Sequence, residues 1–325
     1  MISSARTLTG IALAVMALSV PVVAMAQEFQ GPVRLVVPFA PGGTSDILAR
    51  HIAPELSDAI GQPVIVENKA GAGGNIGADF VAKAQPNGHT LLLSDLTSLL
   101  TAPSIMDSVA YDIENDLSPV TMVSYSPYVL AIAKGLPHSS FDELVEYSLN
   151  NPGAISVATS GIGSNNHITT ERLAQHFDID WNIIAYRGGS DATRAVVSEE
   201  SDMLLNGTTA TLPFALNEQI TPLAVTGESR LEELPEIPTF REMELPGELD
   251  GTYQGILVTA GSPDAIVERL NRELVTILST PDMQEKIAQQ GGQATPSESP
   301  EDLRVWLVEQ KEELSIFIEE AGIAQ

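Results

Sequence analysis

The chain contains no cysteine. Disulfide staples and thiolate metal sites are therefore excluded, as is a lipid-carrying cysteine behind an export signal. Positive charge is scarce as well: 16 Lys and Arg stand against 43 Asp and Glu, a formal net charge of −27. Nucleic acid and anionic membrane surfaces should repel such a protein, and no nucleic-acid partner is expected. A solvated acidic surface accounts for the excess, but it means that any anion site must work locally. The five histidines are scattered; His167 and Glu171 share a helical face yet have no further ligands at metal spacing, so no metal or other cofactor is expected. The G-x-S-x-G elbow of acyl hydrolases is missing, its nearest echo being Gly188-Gly189-Ser190-Asp191-Ala192. Gly71-Ala72-Gly73-Gly74-Asn75-Ile76 fails as a dinucleotide fingerprint, because the third glycine falls one place late, at Gly77. With no convergent nucleophile, base and metal, an enzyme is not expected.

Only the first residues carry a long apolar run. Arg6 is followed by an uncharged stretch from Ile11 to Val23 and then Ala24-Met25-Ala26. This is the pattern of a secretory signal, residues 1–26, cleaved after Ala26. Its removal takes away Arg6 and no acid, so −27 becomes −28. No second run of spanning length follows, which predicts a soluble periplasmic protein.

At 325 residues with 43% hydrophobic content, the chain exceeds the size at which one core usually keeps growing. Val33, Leu35, Val36, Val37 and Phe39 fit a buried strand, ended by Pro41-Gly42-Gly43. Ser45 or Asp46 can then cap a helix carrying Leu48, Ile52 and Leu56, with a kink or break at Pro54. Two glycines ahead of a helix leave backbone N–H groups uncovered at the positive end of its dipole, a place suited to a carboxylate. Taken alone, the loop is equally a glycine turn that only connects two elements. Pro63 to Glu67 and Thr90 to Ser94 read as further strands, separated by a helix with Ile76, Phe80 and Ala84 on one face. Alternation of this kind predicts a parallel sheet with right-handed crossovers.

The middle of the chain repeats the scheme. Strands are expected at Val129 to Ala133, Ile155 to Thr159, Asn182 to Tyr186, Asp202 to Asn206 and Leu223 to Thr226, with Ser140 and Glu143 boxing the helix Phe141 to Leu149. Ser160 to His167 and Arg187 to Asp191 are small, polar, cap-forming loops at strand ends, the second echoing the first loop of the chain. After the strand Gly255 to Thr259 come three helices marked by hydroxyl and proline: Ser262-Pro263, Thr280-Pro281 and Ser299-Pro300. A helical ending without its own sheet should pack on the first domain. The reading is thus α/β, with domain 1 from 27–127 and 252–325, domain 2 from 128–251, and a hinge at the two crossings. A ligand would sit in the cleft between them, at the carboxyl edge of the strands.

PFAPGGTSDILAR, VENKAGAGGNIGADFVAKAQPNGHTLL, SGIGSNNH, AYRGGSDA and LAVTGESRLEELPEIPTFREM resemble the extracytoplasmic solute receptors of tripartite tricarboxylate transporters, the Bug-type receptors, from about Val33 to the C-terminus. The resemblance implies a type II-like periplasmic binding protein with two mostly parallel sheets, expected as a monomer. It would close on a small organic acid and deliver it to membrane permease subunits. It also implies a site made of Phe39, Ala40, Gly42, Gly43, Thr44 and Asp46 on one wall and Ser160, Gly161, Gly163, Ser164 and His167 on the other. Asp46, as an acid at a helix start, is expected to cap and brace. Arg187, Gly188, Gly189 and Asn206 border the same cleft. Asp95 replaces the uncharged residue common in the family after the TLL strand, and Thr252-Tyr253-Gln254-Gly255 lacks an aromatic often seen near the returning strand. Both could face the far end of the ligand, where Asp95 would favour an amino acid or amide. A receptor that presents the same ligand to a signalling partner remains the alternative.

Overall fold

The computed structural model describes residues 29–106, 109–245 and 251–321. The expected signal segment and its cleavage point lie outside the described residues. Strand β1 (Val33–Val37) is buried at every position except Arg34, and Gly42, at φ 83°, turns the chain into α1 (Thr44–Ile60). Pro54 does not break the helix: α1 runs through it. Pro54 lies on the exposed side of the helix, where water can take the carbonyl that loses its N–H partner. Neither Ser45 nor Asp46 caps α1, which starts at Thr44 with Gly43 at the cap position.

Strand β2 (Val64–Asn68) is a half-exposed edge. Helix α2 (Asn75–Ala82) buries Gly77, Ala78 and Val81, not the Ile76, Phe80 and Ala84 stripe read from the sequence. Gly77 decides this rotation, since a Cβ there would stand 2.6 Å from the Pro38 side chain. Ile76 is left exposed, and Phe80 lies under Arg34 and Lys69. Strand β3 (Thr90–Asp95) leads into α3 (Leu96–Ile105), and β4 (Leu117–Ala133) follows. Then come α4 (Phe141–Asn150), β5 (Ser156–Thr159), α5 (Asn165–Phe177), β6 (Asn182–Ala185), α6 (Gly189–Val197), β7 (Met203–Gly207), α7 (Thr208–Leu216) and β8 (Ile220–Val225). The chain ends with β9 (Gly251–Thr259), α8 (Asp264–Leu278), α9 (Pro281–Ala288), the short β10 (Gln293–Ala294) and α10 (Pro300–Ala321). Thr280 and Ser299 cap α9 and α10 through their hydroxyls. Ser262 does not cap α8; its hydroxyl donates back to the Thr259 carbonyl.

The strands run in the order β2-β1-β3-β9-β4-β7-β5-β6, with β8 and β10 also bonded to β4. Parallel pairing holds for β2-β1-β3 and for β7-β5-β6. The long strands β4 and β9 run antiparallel to their neighbours, which makes the whole a mixed sheet. β4 serves both halves. Its first part pairs β9 as far as Pro127↔Gly251, and from Tyr128 onward it pairs β7. Register shifts next to Pro119 and between Met122 and Ser124 absorb the residues that cannot sustain a regular ladder.

Core residues divide at the same place. Two clusters cover the faces of the β2-β1-β3-β9 half, one under α1 and α8, the other under α3 and α10. Two more cover the faces of the β7-β5-β6 half. Each half therefore has the layered helix–sheet–helix build that buries both sheet faces.

Candidate ligand-binding cleft

Five helices begin at one place. β1 and β3 in one half and β5, β6 and β7 in the other run in opposite directions, so that their carboxyl ends face each other across the junction of the halves, and α1, α3, α5, α6 and α7 follow those ends. Between them lies a cavity lined by Phe39, Gly43, Thr44, Ser45, Asp95, Ser98, Tyr128, Ser160, Ser164, Asn165, Asn166, Gly189, Asn206, Gly207, Thr252 and Gln254. Its empty space, counted out to the mouth and including open solvent, is about 420 Å³. No Lys, Arg or His is among the lining residues. The first N–H groups of a helix have no partner within it, and they lie at the positive end of the dipole. The N–H groups that start α3 are taken by Asp95; the starts of α1, α5, α6 and α7, turned on one small space, offer an anion uncharged donors.

Eight of the residues expected from the sequence line this cavity: Phe39, Gly43, Thr44, Asp95, Ser160, Ser164, Gly189 and Asn206. The other eight stand behind or beside it, for separate reasons. Ala40 gives its N–H to the Arg187 carbonyl at 3.2 Å, and Gly42 gives its own to Asp46. Gly161 backs onto Gly73, Gly163 onto Met106, and Gly188 onto Phe39 and Ala40. His167 faces Glu171 at 3.9 Å, and burial lowers its pKa, so it brings no charge at neutral pH. The Arg187 side chain is 80% exposed and reaches Asp191 rather than the cavity.

Asp46 is the brace of the first loop. Its carboxylate accepts the Gly42 N–H at 2.8 Å, two bonds from Arg50 at 2.9 Å and one from Asn68 Nδ2 at 2.9 Å. Burial alone would raise its pKa, but the bonds from Arg50, Gly42 and Asn68 together hold it below the ordinary carboxylate range. A lowered pKa stabilises the folded form above the unfolded value, and the contribution disappears as pH falls through the folded one. Asp46→Ala is expected to lose about 2 kcal/mol at pH 7, a figure kept low because Arg50 is more than half exposed. Urea unfolding at pH 7 and pH 3 checks this: the gap between variant and wild type should narrow in acid.

The eight remaining lining residues, of which Thr252 and Gln254 lie in the stretch expected to face the far end of the ligand, come from three sources. Ser98 and Gly207 belong to the starts of α3 and α7, helices apolar on nearly every side, with no periodic stripe to reveal them. Ser45, Asn165 and Asn166 follow expected residues by one or two places. Tyr128, Thr252 and Gln254 sit where β4 and β9 cross between the halves; Tyr253, between the last two, turns the other way and packs on Tyr125 and Trp306.

Asp95 caps α3, accepting the Ser98 N–H at 3.1 Å. Burial pushes its carboxyl up to about 6, against hydrogen bonds from the Thr252 side chain and from the Ser98 and Thr97 N–H groups. Contacts across the cleft are direct. Ser190 Oγ donates to the Pro41 carbonyl at 2.8 Å, Asn165 N–H to Ser98 Oγ at 3.1 Å, and Asn165 Nδ2 to the Gly251 carbonyl at 2.6 Å.

The model of the tripartite tricarboxylate transporter family receptor matches residues 48–323. A Pseudomonas protein described as the UPF0065 protein in the tcbD-tcbE intergenic region is 35% identical over 287 residues, 88% of this chain and 85% of that one. Protein BugT of Bordetella pertussis is 32% identical over 293 residues, 90% and 89% of the two chains. Among solved structures, an R. palustris protein with adipate superposes with a TM-score of 0.86 at 29% identity, covering 91% of this chain and 98% of its own. MatC from Rhodopseudomonas palustris with bound malate gives 0.83 at 28% identity, covering 87% and 97%. The chain belongs to the family of tripartite tricarboxylate transporter receptors and is of the Bug type.

Proposed function

We propose that this protein is a periplasmic receptor that captures a small organic carboxylate between its two halves and delivers it to the membrane subunits of a tripartite transporter. The observation that carries the reading is the convergence of four helix starts, those of α1, α5, α6 and α7, on a cavity without a basic side chain. A carboxylate there is held by neutral donors and helix dipoles, each charge-assisted hydrogen bond contributing on the order of 1.5 to 3 kcal/mol. Similar proteins seen with adipate and with malate support the ligand class, and membership of the receptor family supports delivery to a transporter. The halves act as domains, 27–127 with 252–325 and 128–251, and the paired crossings at Pro127 and Gly251 act as the hinge. The N-terminal export pattern fits the periplasm.

A thermal-shift screen of mono-, di- and tricarboxylates and amino acids tests this. A ligand that binds only the folded protein at a hundredfold excess over its Kd adds about 2.7 kcal/mol, a shift of several degrees. If none of these acids raises the melting temperature, the reading is wrong.

A further inference from the structure

The cavity is not uniformly a donor surface. Asp95 is only 7% exposed and lies on its wall. Asn165, 1% exposed, lines it too, and its Oδ1 has no hydrogen-bond partner. A buried acceptor left without a donor is costly, and on a residue that lines the cavity it gives a ligand's donor something to satisfy. Asn165 and Asp95 are neighbours through Ser98, whose Oγ accepts the Asn165 N–H and whose own N–H goes to Asp95.

A second chain of bonds has the same polarity. Thr252 donates its hydroxyl to Asp95. Its oxygen can then only accept, and it does so from Gln254 Nε2 at 2.5 Å. Gln254 consequently presents Oε1 to Ser45, which donates its hydroxyl proton at 2.6 Å. With that proton committed, the Ser45 oxygen is left as an acceptor on the cavity wall. The negative charge on Asp95 thus orients three side chains, and the wall offers acceptors at Asp95, Asn165 and Ser45. A protonated amino group carries three donors and the charge that a buried carboxylate lacks. A second ligand carboxylate at this place would meet like charge and would need a proton or cation between.

We propose that Asp95 and Asn165 are specificity-determining residues that hold a protonated amino group, so that the solute is a zwitterionic amino acid rather than a simple di- or tricarboxylate. The inference rests on the carboxylate reading for the opposite wall and adds the second recognition element.

Calorimetry with matched probes separates the two. Each amino acid is titrated beside the acid lacking its amino group and beside its amide, which lacks the α-carboxylate: aspartate with succinate, glutamate with glutarate, alanine with propionate and alaninamide. The amino member is expected to bind at least tenfold more tightly than its deaminated partner in the best pair. Asp95→Asn and Asp95→Ser both keep a good helix cap, so the fold should survive; in each, the preference should drop to within about threefold, with succinate or glutarate gaining relative to the amino acids. Asn165→Leu should weaken the amino acids more than their deaminated partners. Deaminated acids that equal or exceed the amino acids on the wild-type protein overturn the proposal, and that ranking needs no variant. An unchanged ranking in both Asp95 variants overturns it too. Alaninamide binding as well as alanine would instead fault the carboxylate reading, and with it the zwitterion, while leaving the amine at Asp95.

Discussion

Thr44→Asp is expected to fold as well as the wild type and to bind no organic acid measurably. Thr44 is the first residue of α1 and lies half-buried on the cavity wall. An acid in the first turn of a helix stabilises it, typically by 0.3 to about 1 kcal/mol, because it answers the positive end of the dipole. The same charge occupies the field that the ligand carboxylate needs. Two unit charges about 4 Å apart repel by roughly 4 kcal/mol at the effective dielectric of a protein surface, about a thousandfold in Kd. Stability and binding should therefore move in opposite directions, which separates loss of the site from loss of the fold. Ser164→Asp tests the facing wall, although Ser164 is fully buried and its hydroxyl lies within bonding distance of both the Gly161 carbonyl and Asn166 Oδ1. For that reason Ser164→Ala should weaken binding through the loop that its hydroxyl ties down, by roughly tenfold, the worth of one hydrogen bond. Calorimetry with the best acid from the screen, controlled by circular dichroism and urea melts, decides the matter. A folded Thr44→Asp protein with native affinity would mean that the carboxylate is held elsewhere.

How much of this the sequence revealed depends on whether local pattern or distant packing sets each feature. The loop from Pro41 to Thr44 and the start of α5 were legible because glycines and hydroxyls between an apolar run and an amphipathic helix have few other uses. Strand β4 was seen only at its last five residues. Pro119, Pro127 and a run of Ser and Thr hide the rest, and they are accommodated by bulges and by β9, more than a hundred residues away. The α2 face was misread for a similar reason: periodicity cannot show that Pro38 presses on Gly77. Asp46 was legible as an acid that braces, but its partner Asn68 lies at the end of β2 and is joined to it only by the parallel register of β1 and β2. Glycine readings fared according to their neighbours. Gly71 to Gly77 carried no nucleotide motif, and what the stretch does instead depends on the opposite half of the molecule.

Gly73→Ala is expected to raise the Kd for the best ligand by about a hundredfold, and Gly73→Val by more. Gly73, at φ 61°, sits in the short turn Ala72–Gly74 ahead of α2, and it meets the loop that begins α5. A Cβ on Gly73 would stand 2.6 Å from the Ile162 carbonyl oxygen; one on Gly161, at φ 134°, would stand 3.2 Å from the Gly73 backbone. These two backbones meet across the cleft without side chains between them. Two costs follow from adding a methyl. The left-handed conformation is strained by roughly 1 to 2 kcal/mol for any residue with a Cβ, and this applies whether the halves are together or apart. The collision with Ile162 applies only when they are together. It therefore shifts the closing equilibrium, and a shift of about 2.7 kcal/mol lowers apparent affinity a hundredfold without touching any ligand contact. Gly61→Ala supplies the control, since Gly61 has φ 70° but nothing within 4 Å of its would-be Cβ; it should lose stability and keep its affinity. Small-angle scattering should show the wild type contracting when ligand is added and Gly73→Val failing to do so. If Gly73→Val contracts and binds like the wild type, the glycine contact does not govern closure, and the two halves must meet in solution along another line.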